Sequence, residues 1–114
     1  MDKQLFEKFM REIDWADWGL LHSHFVHDSL FVIAQGEDLF EFAAAVKNND
    51  VPLVEGKIGA GLVARPDGYD VEKWRKSGQR FLTLIVSPYV LVQCMEEAEY
   101  LELYKKRQAL IDEA

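Results

Sequence analysis

Every histidine of this chain lies in one short stretch, His22-Ser23-His24-Phe25-Val26-His27-Asp28. On a helix, His24, His27 and Asp28 stand at i, i+3 and i+4 and share a face. Two imidazoles and a carboxylate at that spacing suit Zn²⁺ or Ni²⁺ with an open coordination position. On a strand, His22 would align with His24 instead. The bland alternative is a polar helix end with solvated rings. A pH-sensitive contact is a third reading, because imidazole titrates near neutrality. His24, His27 and Asp28 are the expected metal ligands if there is a metal. No organic cofactor is expected.

Four other features carry chemistry-bearing residue types. Gly56-Lys57-Ile58-Gly59-Ala60-Gly61 has the spacing G-x-x-G-x-G, the reverse of a dinucleotide fingerprint, and follows a helical pattern. It also lacks the Lys-Ser/Thr ending of a phosphate loop, so it reads as a helix end. Cys94, the lone thiol, closes an apolar run and reads as a small buried residue, not a nucleophile. Lys73, Arg75, Lys76 and Arg80 surround Trp74, an arrangement that could face phosphate while the indole stacks on a base. The carboxylate pairs Asp14/Asp17 and Asp38/Glu41 fall where helix caps are needed, and capping explains them without acid–base catalysis.

Composition bounds what these residues can do. The chain has 114 residues, 49% hydrophobic and 29% charged, which is ordinary globular composition and fits one domain spanning 1–114. A chain this size buries about two-thirds of its surface without staples. One cysteine excludes an internal disulfide and a multi-thiolate zinc site within one chain. The net charge of −7 argues against a dominant nucleic-acid partner. That charge is unevenly spread. Glu12 to Val46 holds seven acids and no Lys or Arg, whereas Lys57 to Arg80 holds six bases and three acids. Contact between unlike faces of two copies is therefore open to it. No secretory signal is expected, and the longest uncharged run, Phe81 to Met95, falls short of the ~20 residues of a spanning helix. A cytoplasmic protein with no membrane partner is the expectation.

The elements that would position these residues follow from periodicity. Leu5, Phe6, Phe9, Met10 and Ile13 collect on one face of a first helix. Asp14 reads as the N-cap of a second helix with Trp15, Trp18, Leu21 and Phe25 inward. Leu30 to Ala34 reads as a strand. Asp38 and Asp50 cap two further helices, the second with Pro52 in its first turn. Leu62 to Ala64 is a short strand, and Pro66-Asp67-Gly68 a turn. Asp70 caps a helix that carries Trp74 and ends at Gly78. Phe81 to Met95 reads as two strands, about 80–87 and 89–94, buried on both faces, with Pro88 at a bend or edge. Glu96 to Ala114 is a long terminal helix with Tyr100, Leu103, Tyr104, Leu110 and Ile111 on one face.

In order, these residues resemble a family of small bacterial proteins, domain of unknown function 2288. The resemblance runs from Asp14-Trp15 through Leu30 to Ile33, Asp38-Leu39, Ala43 to Ala45, Asp50, Gly61-Leu62 and Trp74. Its most specific part is Pro88-Tyr89-Val90-Leu91-Val92-Gln93. The resemblance covers Asp14 to Gln93, with Tyr89 where a tryptophan is expected and the charged terminal helix from 95–114 as an addition. It implies a bacterial cytosolic protein and carries no catalytic residue.

The expected architecture is α+β: a small, mostly antiparallel sheet with helices mostly on one side and a long C-terminal helix. The expected function is a non-enzymatic interaction module acting as a homodimer, through Tyr100, Leu103, Tyr104, Leu110 and Ile111 or the Pro88 strand edge. An unidentified protein partner, metal binding at His22–Asp28 and nucleic-acid binding around Trp74 are the alternatives.

Overall fold

Aspartates start most of the helices. The computed structural model describes residues 2–113, and within them the side chains of all but Arg107 and residues 110–113. Among the described residues there are six helices: α1 (Lys3–Glu12), α2 (Trp18–Val26), α3 (Leu39–Lys47), α4 (Val51–Gly59), α5 (Gly68–Ser77) and α6 (Glu97–Glu113). Asp2, Asp17, Asp38, Asp50 and Asp67 are the N-caps of the first five, each accepting a backbone N–H of the first turn. Each such cap is worth about 1 kcal/mol.

Two capping positions differ from the expected ones. Asp67, not Asp70, caps α5; Asp70 is its third residue and completes a reciprocal capping box. Asp17, not Asp14, caps α2, and Asp14–Asp17 is a strand, β1. β1 pairs antiparallel with β4 (Arg80–Val86), Asp14 opposite Thr83 and Asp17 opposite Arg80. Four residues carry too little periodicity to distinguish a strand from a helix entry, and the pairing partner is distant in sequence.

The remaining strands lie close to where the apolar runs place them: β2 (Leu30–Ile33), β3 (Val63–Ala64) and β5 (Tyr89–Cys94). The sheet order is β1-β4-β5-β2-β3; every pair is antiparallel except β2–β5. β4 and β5 form a hairpin whose Ser87–Pro88 bond is cis. The fold is α+β, as expected.

Both faces of the sheet are covered, which corrects the expectation of helices mostly on one side. On the first face Leu82, Leu84, Leu91, Ile33 and Val63 meet Phe6 and Phe9 of α1 and Leu39, Phe40 and Ala43 of α3. On the second, Phe81, Val90, Val92, Leu30 and Ala16 meet Trp18 and Leu21 of α2 and Val71 and Trp74 of α5. This explains why β4 and β5 lack apolar–polar alternation: successive side chains point into two different cores.

Candidate functional site

The residues with the most suggestive chemistry do not assemble. α2 stops at Val26, and His27 is its C-cap. Asp28 adopts a left-handed conformation (φ 58°), so the i, i+3, i+4 face expected of His24, His27 and Asp28 is broken. The Asp28 carboxylate faces Arg65 instead, Nη1 to Oδ1 3.9 Å, and the His22 ring packs edge-on against Trp18. Among the described residues no three His, Cys, Asp or Glu side chains are grouped as a metal ion would require.

The basic stretch loses its stacking residue. Trp74 is buried, 5.8 Å from the Trp18 ring and 4.9 Å from Phe81 by centroid. It is a core residue and presents no free indole to a base. Arg75 and Lys76 both lean on Glu72, and Arg80 lies over the Trp15 ring at 5.5 Å. Cys94 is half-buried, and burial pushes its thiol pKa up. The Lys73 charge opposes that shift and Asp70 adds to it. A thiol held protonated is a poor nucleophile.

The terminal helix is committed to its own chain over the first part of its apolar face. Tyr100 and Leu103 pack on the first core, and the Tyr100 hydroxyl reaches Met10 Sδ at 3.8 Å. Tyr104 stacks on Phe6, centroids 6.4 Å apart. Burial raises the Tyr100 pKa, with Tyr104 adding to it. Leu110 and Ile111 lie outside the described side chains.

What remains open is a cleft that no sequence motif marks. Its volume is about 280 Å³. One wall is α3 and α4, through Phe42, Ala45, Val46, Val51, Val54 and Ile58; the floor is the sheet end, through Phe31, Leu91 and Tyr89. Phe31 and Tyr89 meet edge-to-face at 5.6 Å, and Arg65 covers the outer side of Phe31. Only Asn49, Glu55 and the Tyr89 hydroxyl bring side-chain polarity to the lining. The cleft exists because α4 stands off the sheet: none of its residues is fully buried, although Val51, Leu53, Val54 and Ile58 are apolar. Its packing is on α3 and β3.

Two polar links fix α4 at that stand-off. Gln93, only 1% exposed in the centre of the sheet, donates through Nε2 to the Ala34 carbonyl (2.9 Å) and the Glu37 carbonyl (2.7 Å). This pins the loop before α3. From the same loop the Glu37 carboxylate accepts from Lys57 of α4 at 2.7 Å. That hydrogen bond raises the Lys57 pKa, against a smaller desolvation effect. The sequence singled out Gly56–Gly61, but its role is different from a phosphate loop. A methyl group at Gly56 or Gly59 would meet nothing within 4 Å, and Gly61 takes φ +77° to turn the chain into β3.

A second hollow at the opposite sheet end, about 350 Å³, is lined by Trp15, Gln79, Arg80, Glu96 and Glu97 among others. Its charged lining is mixed in sign, and it lacks the apolar walls of the first.

A model of the family described as protein of unknown function (DUF2288) matches residues 4–94. The chain belongs to that family. The match begins in α1, ends at Cys94 and leaves α6 outside it. The family stretch therefore contains every residue that builds the cleft and the Gln93 link. No curated protein matches the chain. It is similar to the NMR solution structure of PA1075 from Pseudomonas aeruginosa, with TM-score 0.70 at 20% identity, over 86% of this chain and 91% of that one. That likeness shows a shared fold. No helix among the described residues is long and apolar enough to cross a membrane.

Proposed function

We propose that this chain is a non-enzymatic interaction module of the cytoplasm that receives an apolar element of a partner protein in the cleft beneath α4. One observation carries the reading: an apolar helix without a single buried residue faces two aromatic rings across an open cleft. Val51, Ile58 and Tyr89 stay 46%, 45% and 40% exposed at its mouth. Apolar surface grouped around a concavity is the mark of a recognition site, whereas singly scattered exposed hydrophobes are ordinary. The lone, unpaired thiol fits a reducing compartment.

Assembly of copies through the terminal helix has less support than the cleft, because Tyr100, Leu103 and Tyr104 already pack on their own chain. Site-specific photo-crosslinking in the producing cell separates the surfaces. A crosslinker at Ile58 is expected to give a discrete adduct, and one at the equally exposed Leu101 of α6 none. An adduct of twice 13.2 kDa identifies the partner as a second copy. Equal labelling at both positions, or none at 58, rejects the cleft.

A further inference from the structure

We infer that the occupant of this cleft is a short amphipathic helix carrying Lys or Arg beside its apolar face. This rests on the interaction reading above and names the class of partner.

The shape argues first. Small-molecule pockets run from roughly 300 Å³ upward and enclose most of their ligand. This cleft is of the smallest such size and does not enclose: its apolar shoulders Val51, Ile58 and Tyr89 stay in solvent, which suits a few side chains of a larger apolar body. Backbone chemistry argues second. The cleft lies between a helix and a sheet face, and the strand margin beside it is only the two residues of β2, Leu30 and Phe31, that β3 does not pair. An extended segment laid there would bury N–H and C=O groups opposite Val51, Val54, Ile58 and Phe31, with few partners for them. Each buried, unpaired polar group costs about 1–3 kcal/mol. A helix satisfies its own backbone and offers side chains at i, i+3, i+4 and i+7.

Charge complementarity sets the flank. Glu55 is the charged residue of the lining, and among the described residues it has no ion-pair partner. Lys57, the cation on the same helix, is held by Glu37. The cation at the cleft floor, Arg65 over Phe31, is paired with Asp28 at 3.9 Å, so the Glu55 carboxylate is left without a counter-charge on its own side of the cleft. A cation beside an apolar helix face meets Glu55 while its stem lies along the Ile58 side of the cleft. A carboxylate there meets a like charge.

Fluorescence anisotropy with three labelled peptides tests this on the whole chain. One is helical with leucines at i, i+3, i+4 and i+7 and flanking lysines; the second replaces those lysines by glutamates; the third keeps the lysines and has a central proline. The lysine helix is expected to bind about tenfold tighter than the glutamate helix. Glu55→Lys is expected to reverse that order and Glu55→Gln to flatten it. Glu102→Lys, the same charge change on α6, is expected to leave the preference unchanged. Equal binding of the proline peptide overturns the helix assignment. An equal effect of Glu102→Lys overturns the charge assignment, since the selectivity is then a net-charge effect. If no peptide binds, or Ile58→Asp leaves binding intact in a folded chain, the cleft reading itself fails.

Discussion

The two faces of the sheet are built from similar residue types and end in opposite conditions. The second face is sealed by rings: Trp18 lies 5.8 Å from Trp74, which lies 4.9 Å from Phe81, with Phe25 edge-on to Trp18 at 5.4 Å. The first face has the larger core, with Phe6 and Phe40 edge-to-face at 5.5 Å, yet at one end α4 leaves it uncovered. Most residues that attract functional readings, Trp18, Trp74 and the histidines of α2, gather around the sealed face. The opening of the other is walled by the aliphatic residues of α4 and floored by Phe31 and Tyr89. Rings occur on both faces, so what distinguishes the opening is a helix that fails to pack.

Trp74→Ala is expected to give the largest effect, a loss of about 3–5 kcal/mol in urea unfolding. It removes the ring that joins α5 to both Trp18 and Phe81. A loss under about 1 kcal/mol would show the second face to be as loosely closed as the first. Gln93→Leu comes next. It strands the Glu37 carbonyl, while the Ala34 carbonyl keeps the Glu37 N–H, at a cost of about 1–3 kcal/mol. It should also broaden the α4 amide resonances in NMR, because the loop that holds Lys57 loses its anchor. Unchanged α4 resonances would cut the link between sheet centre and cleft.

Gly56→Ala is expected to act in the opposite direction, stabilising by about 0.5–1 kcal/mol. The added methyl meets nothing within 4 Å and favours the helix. Destabilisation would mean that the outer side of α4, away from the cleft, is covered in solution. Smallest is the Lys57–Glu37 pair. A pKa raised in the folded state stabilises fully below the unfolded lysine value of 10.5, and the contribution is lost as pH rises through the folded pKa. The stability difference between wild type and Lys57→Met should therefore persist at neutral pH and vanish in strong alkali. A difference that survives there would assign it to packing of the lysine stem.

Much of this fold could be read from local chemistry. Asp38 and Asp50 start their helices because capping acts within one turn, and Phe81 to Met95 forms the buried hairpin because its lack of alternation is itself the signal. β1 was hidden because its partner lies across the sheet in β4. The histidine face failed because nothing local announces that the helix ends at Val26. Trp74 invited a stacking reading among cations, and only tertiary packing shows the ring facing inward. The cleft had no local signature: a gap beneath a helix belongs to two elements at once. The structure gives Pro88 to Gln93, the most specific part of the family pattern, a place at that cleft. Its alternate residues Tyr89 and Leu91 floor the cleft, and Gln93 anchors its wall.

β1 has an implication for assembly. It is an outer strand with an aspartate at each end, both exposed. Two copies laid edge to edge there, antiparallel and in register, would set Asp14 of each against Asp17 of the other. The opposite margin is the two-residue β3, too short to template a ladder. The molecule thus resists growing into a continuous sheet with its own kind.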